Sequence, residues 1–278
     1  MQAETTLSIG SASSPSPLQR ALDDVTEGVK AYHVWGKLGW QDIKQRYRRS
    51  VLGPFWITLT TAILVTMIGF VYSGLFKQPM QVYFPFISIS MVTWGLMSSL
   101  LNEACTTFIS SEQIMKQVRL PLTLHVCRMV WRNLLVFLHN AVIFVVIYII
   151  FWKGWHWQLL MLPVALLAIL ANGLWIGLLL GALCARFRDI PQIVTNLIQV
   201  VFFATPIMWL PSGLKGHSLE WLITINPANH FLEIVRAPLL GSPFPELSWI
   251  VVGAFTAVGW ALAMYTLVRI RHRVPYWL

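Results

Sequence analysis

Residues 55–76, FWITLTTAILVTMIGFVYSGLF, hold no Asp, Glu, Lys or Arg in 22 positions. A helix needs about 20 apolar residues to cross the hydrocarbon of a bilayer, so this run reads as a membrane span. Five more apolar stretches follow, at 82–102, 133–152, 158–185, 192–210 and 249–268. Within these bounds none of the six contains an Asp, Glu, Lys or Arg. The fourth is long enough to tilt or to run past the bilayer. The expected fold class is therefore all-α integral membrane, with six transmembrane helices.

The whole chain agrees with its most apolar part. Of 278 residues, 56% are hydrophobic and only 11% charged, with a mean hydropathy of +0.65. Soluble domains carry about 25% charged residues, and a water-soluble enzyme of this composition would expose large apolar patches. That class is excluded. The net charge of +9 invites a nucleic-acid reading, but its distribution answers differently. With the N-terminus inside, 16 of the 20 Lys and Arg fall in inner segments and 4 in outer ones. This is the positive-inside bias of a membrane protein, so both termini are placed in the cytoplasm and no nucleic acid is expected. Cys105, Cys127 and Cys184 lie near inner ends of spans, and three cysteines give no disulfide framework. They are expected to be reduced thiols. No apolar h-region lies in the first thirty residues, so no cleaved signal peptide is expected.

Residues 1–31 read as a disordered cytoplasmic tail, on the strength of Ser8, Ser11, Ser13, Ser14, Pro15, Ser16 and Pro17. Residues 32–53 read as an amphipathic interface helix, and 54–278 as the six-span domain. Trp40, Ile43, Tyr47 and Val51 are spaced by 3, 4 and 4, which places them on one helical face. Asp42, Lys44, Arg46, Arg48 and Arg49 occupy other faces, as in a helix lying in the headgroup plane. Gly53-Pro54 breaks it. Two connections exceed a turn. The inner one, 103–132, holds a polar helical stretch over 106–118 ended by Pro121. The outer one, 211–248, holds short semi-apolar segments at 219–225 and 229–235, punctuated by prolines. Both segments are too short to span, so a re-entrant or surface-lying pair is expected.

Charge-free spans argue against proton- or ion-coupled transport, which needs ionisable groups at membrane depth. They argue equally against an intramembrane hydrolase or lipid transferase. His139 is alone within its span and reads as a packing hydrogen-bond donor. His230 and Glu233 are three apart but have no third ligand, so no metal site is assigned. No Gly-x-x-x-x-Gly-Lys-Ser/Thr loop occurs, so no ATP site of the P-loop kind is expected in this chain. Aromatics make up 13% of the residues. Trp152, Trp155, Trp157, Trp209, Trp221 and Trp249 fall where outer interface belts form. Phe70, Tyr72, Phe86, Trp94, Phe202 and Phe203 lie deeper. They read as helix packing or as a pore lined with flat apolar faces, on which sugar rings can stack.

The run Gln45-Arg46-Tyr47-Arg48-Arg49-Ser50-Val51-Leu52-Gly53-Pro54-Phe55-Trp56 resembles the approach to the first span in permeases of ABC-type polysaccharide exporters. Val118-Arg119-Leu120-Pro121, Arg186-Phe187-Arg188-Asp189-Ile190, Thr205-Pro206-Ile207-Met208, Asn226-Pro227 and the basic C-terminal tail follow in the same order. The set covers most of the chain after about residue 35 and looks most like the Wzm-type O-antigen and lipopolysaccharide permeases, with capsule and teichoic acid permeases close by.

The resemblance implies a non-enzymatic, multi-pass subunit of a bacterial inner membrane. It would be a homodimer paired with two copies of a separate P-loop ATPase, with MgATP on that partner and no cofactor in this chain. The cargo would be a polyprenyl-diphosphate-linked glycan, passed through a channel between the two subunits. It further implies that Trp40, Ile43, Tyr47, Glu112, Gln113, Lys116 and Arg119 belong to the ATPase-coupling surface, against the plainer reading of solvated charge. Arg46, Arg48 and Arg49 would meet the diphosphate at the inner entrance, or simply lipid headgroups. Trp221, Asn226, Asn229, His230, Glu233 and Arg236 would form a periplasmic gate, or a loop held by turn chemistry. Two other readings stand beside this one: a membrane-embedded transferase or polymerase acting on lipid-linked sugars, and a type-2 ABC permease for a small hydrophobic drug.

Overall fold

The computed structural model describes residues 15–46, 48, 53, 55–151, 154, 157–214, 216, 218 and 220–278. Among these the chain is helical throughout, in the order α1 (Pro17–Lys30), α2 (Tyr32–Arg46), α3 (Phe55–Leu75), α4 (Met80–Ser110), α5 (Glu112–Gln117), α6 (Leu122–Ile150), α7 (Leu162–Arg186), α8 (Ile190–Ala204), α9 (Trp221–Ile225), α10 (Pro227–Leu240), α11 (Glu246–Ile270) and α12 (Val274–Trp277). Among the described residues, five helical segments are long and apolar enough to cross a membrane: Phe55–Leu75, Met80–Gln117, Leu122–Ile150, Trp157–Arg186 and Glu246–Ile270.

The expected fifth span, 192–210, is instead a 15-residue helix, Ile190–Ala204. It stops where Thr205 turns extended (φ −97°, ψ 138°) ahead of Pro206, since the ring disfavours helix in the residue before it. At about 1.5 Å per residue α8 is roughly 22 Å long.

Two other helices are longer than their apolar cores. α4 runs on to Ser110 and α6 begins at Leu122, so Glu103, Arg128 and Arg132 lie on the long helices rather than in a connection. The inner helical stretch is not continuous over 106–118. Ser111 (φ −99°, ψ 4°) breaks it, and α5 starts afresh at Glu112.

The N-terminal expectation is corrected over its second half. Residues 17–30 form α1, capped by the Ser16 hydroxyl, which accepts from the Gln19 N–H at 3.1 Å, with Pro17 at the first helical position. Residues 1–14 of the expected tail lie outside the described residues. α1 buries Ala21, Asp24 and Gly28, three residues of one face, against α6 and α11. A Cβ on Gly28 would lie 2.6 Å from Thr123 Cβ, so only glycine allows this approach.

α4, α6 and α7 form the centre of the bundle, with α11 and α10 packed onto α7. The approach of α7 to its neighbours depends on missing side chains. A Cβ on Gly177 would meet Val126 at 2.4 Å, and one on Gly259 of α11 would meet the Trp175 ring at 2.1 Å. α5 marks one end of the bundle and α10 the other.

Candidate functional site

At the α5 end, Arg128 and Arg132 stand four apart on α6, on one face. Both reach Asp42 of α2. Arg128 donates to the two carboxylate oxygens at 2.5 and 2.8 Å, and Arg132 donates to Oδ2 at 2.8 Å. Arg132 turns its other edge to Glu103 of α4, giving Oε2 hydrogen bonds of 3.1 and 2.7 Å. Asn133 donates to the same oxygen at 2.7 Å and accepts from Ser99 at 2.6 Å. Arg46 stands 3.5 Å from the remaining Glu103 oxygen. One guanidinium thus joins α2, α4 and α6.

α2 reaches this network because its docking face is Trp35, Gly39, Asp42 and Ile43. Trp35 meets Trp131 edge-on with centroids 5.9 Å apart, and a Cβ on Gly39 would sit 2.9 Å from the Trp131 ring. The expected shared face of Trp40 and Ile43 is therefore corrected: Ile43 is buried and Trp40 is exposed. The described helix is Tyr32–Arg46, with Gly53 in a turn rather than helical, and Tyr47 and Arg49 lie outside the described residues. Arg48 sits exposed in a turn. Arg46 is committed in part to Glu103, which the expected diphosphate role did not include.

Burial alone pushes the Asp42 carboxyl up, but Arg128 and then Arg132 outweigh it and hold the group below its ordinary value of 3.8. A depressed acid stabilises the fold fully above its unfolded pKa, and that contribution is lost as pH falls through the folded value. Acidification below about pH 4 is thus expected to loosen α2. The Trp35–Trp131 fluorescence should change there, and Asp42→Asn should abolish that transition while weakening the docked state at neutral pH. An unchanged acid transition in the variant would assign the change to other carboxylates.

Beside this network α5 is exposed. Lys116 pairs with Glu112 at 2.5 Å across one turn. Gln113 and Arg119 are exposed on either side. Arg119 also borders a charged cleft of about 290 Å3 with Arg20, Asp23, Glu27 and Arg271.

The deeper aromatics do not form one lining. Phe86 and Trp94 are buried within the chain, so packing replaces the lining role expected of them. Phe70 is exposed and meets Phe84 edge-on, while Tyr72 tilts against Phe76. Phe202 lies against both Trp94 and the exposed Phe203. His139 donates locally to the Leu135 carbonyl at 2.7 Å.

At the opposite end, α9 and α10 form a hairpin around Asn226. Its side chain caps α10 through the Ala228 N–H (3.0 Å) and donates to Thr205 (2.8 Å). α10 is longer than the expected segment and ends at Gly241, whose φ of +69° suits glycine. His230 is buried, with Nε2–H donating to the Thr224 carbonyl at 2.8 Å and Nδ1 accepting from Ser248 at 2.9 Å. Asn229 donates to the Ile223 carbonyl at 3.2 Å. Arg236, 2% exposed, donates to the Pro206 carbonyl at 2.9 Å and lies over the Phe86 ring at 4.7 Å, with Glu233 3.4 Å away. Trp221 alone of the six expected gate residues projects freely, being 54% exposed. Three of the others, Asn226, His230 and Arg236, are joined by bonds that sequence alone did not indicate, to Thr205, Ser248 and Pro206.

Sequence reasoning also missed Asp42, Glu103, Arg128 and Arg132 as a unit, having placed Asp42 on the headgroup-facing helix and the other three in the inner connection. The available signal was the i, i+4 pair of arginines beside isolated acids in an apolar chain.

A family model described as ABC-2 type transporter matches residues 34–240. The chain is similar to an O-antigen export system permease protein RfbA of Myxococcus xanthus, 24% identical over 207 residues covering 74% of this chain and 80% of that protein. Two O-antigen export system permease proteins RfbA of Klebsiella pneumoniae are also similar. One is 27% identical over 195 residues (67% of this chain, 72% of the relative), the other 26% over 236 residues (80% and 87%). The matched family region runs from α2 through α10 and so contains both the charge network and the hairpin.

Proposed function

The chain belongs to the ABC-2 type transporter family, and on that basis we propose that it is the membrane permease of an exporter for a polyprenyl-diphosphate-linked polysaccharide of the O-antigen kind. Two copies would enclose the channel, and two copies of a P-loop ATPase would supply MgATP hydrolysis from the cytoplasmic side. In this reading α8 is the fifth span in chain order and the shortest of six, both termini face the cytoplasm of a bacterial inner membrane, and α9–α10 re-enter from the outside. The observation that carries the reading is the join at the α5 end. Asp42, Arg128, Arg132 and Glu103 bind α2 to the long helices α4 and α6, and exposed α5 follows α4 after a single-residue break at Ser111. Force applied there from outside the chain reaches the spans through paired charges rather than a slack loop. The similarity to O-antigen export permeases supports the choice of cargo.

Deleting the gene from its host tests the proposal. Surface polysaccharide should fall at least ten-fold, with lipid-linked glycan retained on the cytoplasmic side, and the gene should restore export only with its ATPase partner. Undiminished surface glycan in the deletion strain, or transport by this chain alone in liposomes, overturns it.

A further inference from the structure

α8 has three faces. Ile198, Val201 and Phe202 pack onto the cluster of Trp94, Ile207 and Leu232. Ile193, Leu197 and Val200 form an exposed apolar face, 54–64% accessible. The third face carries Gln192, Asn196 and Gln199, spaced i, i+4, i+7, all exposed, with exposed Phe203 continuing the stripe four residues on. Three carboxamides on one side of a 15-residue apolar helix cannot face hydrocarbon without losing hydrogen bonds they cannot replace.

The amides adjoin a second polar stripe. Thr195, at their edge, donates to Asn102 Oδ1 of α4 at 2.9 Å. That bond sets the register against Gly95, Ser98, Asn102 and Thr106, which share one face of α4. Asn102 and Ser98 spend donors on their own helix, at 2.9 and 3.3 Å. Gln192 donates to Asn196 at 3.2 Å, and Gln199 has no hydrogen bond among the described residues. Phe202, Phe203 and Trp94 close one end of this trough.

We infer that Gln192, Asn196 and Gln199, with Ser98 and Asn102 opposite, form a neutral hydrogen-bonding rail for the hydroxyl groups of a sugar chain. The inference rests on the export reading and deepens it by naming side chains that the cargo touches. A carboxamide offers two donors and two lone pairs, and a sugar hydroxyl offers one donor and two lone pairs. Each can pair with the next hydroxyl along without a change of charge. The amides repeat every 4.5 to 6 Å or so along the axis, on the scale of one sugar ring, so a chain can step from one to the next. Absence of ionic partners keeps every contact weak enough to release. A second copy of the chain or lipid is better suited to the neighbouring face of Ile193, Leu197 and Val200, which has no polar atoms to satisfy.

Single cysteines at 192, 196 and 199, and at 193, 197 and 200, test the surface in the full chain assembled with its ATPase in membranes. The native Cys105, Cys127 and Cys184 are buried and give a low background. A charged, water-soluble methanethiosulfonate should modify the first three at least ten-fold faster than the second three. Equal, slow reaction at all six means lipid and overturns the rail. Rapid copper-phenanthroline crosslinking of Asn196→Cys between two copies means a dimer seam and also overturns it.

The triple variant Gln192→Leu/Asn196→Leu/Gln199→Leu should cut export at least ten-fold at unchanged membrane level and ATPase association. The swaps Asn196→Gln and Gln199→Asn should keep more than half. Wild-type export in the same cells separates the two readings. If the wild type moves no glycan, the export reading fails; if the leucine triple exports as well as wild type, the rail fails.

Discussion

Arg132→Ala is expected to cost about 3 kcal/mol of stability, the low end for breaking a buried ion pair, and to free α2 from the bundle. Its guanidinium serves Asp42 and Glu103 at once, and the side chain is only 20% exposed. Removing it leaves two carboxylates that face each other's helices with less than their full complement of donors. Arg128 still holds Asp42, so the greater loss falls on Glu103. Denaturant unfolding in micelles measures the total, and hydrogen exchange across Tyr32–Arg46 locates it. Arg132→Lys should recover part of the stability but not the three-helix junction, because an ammonium cannot reproduce the planar fork. A double-mutant cycle with Glu103→Gln isolates the pair. A loss under 0.5 kcal/mol or so, the scale of a solvated surface pair, would mean that the junction is not rigid. In the proposed exporter, the same variant should uncouple ATP hydrolysis from export.

Asp24→Ala should be nearly as damaging, at about 2–3 kcal/mol, through loss of a charge-assisted helix cap. Asp24 is 4% exposed and belongs to α1, yet it serves α6. One carboxylate oxygen accepts from the Leu122 N–H at 3.1 Å, the other from the Thr123 N–H at 3.0 Å and the Thr123 hydroxyl at 2.9 Å. The helix's own cap position is Pro121, which has no side-chain bond to offer. Without the carboxylate, two backbone donors are left buried, and exchange at Leu122 and Thr123 should accelerate by at least ten-fold. Asp24→Asn keeps an acceptor and should show about half the effect. Gly28→Leu attacks the same contact by another route, since even a Cβ there meets Thr123. If Asp24→Ala leaves both exchange and melting unchanged, α1 is an ornament rather than a brace.

How far the sequence carried these conclusions depends on the kind of signal. The five long spans are legible because 20-residue apolar runs have few alternatives in water or lipid. Their true ends were not, because Glu103, Arg128 and Arg132 look like connection residues until their partners are known. α1 was hidden by the Ser- and Pro-rich run before it. Its buried face holds Ala21, Asp24 and Gly28, none of which marks a hydrophobic stripe. In α2, Trp40 and Ile43 fit one face by spacing, but Gly39 and Asp42 decide the docking, through shape and charge that periodicity does not register. The α9–α10 hairpin was readable as two short segments with prolines. Its cohesion was not, since Asn226–Thr205 and His230–Ser248 join residues 21 and 18 positions apart.

The brevity of α8 has a consequence for the lipid itself. Fifteen residues reach about 22 Å where hydrocarbon is about 30 Å thick. With α8 as a span, as proposed, acyl chains beside it would either thin or give way to solvent, each at modest energy. In the proposed exporter the barrier its cargo meets would then be lowest along this one helix, as a mountain range is crossed at its saddle. Lengthening the helix would raise the pass for every molecule that uses it, whatever side chains it bore.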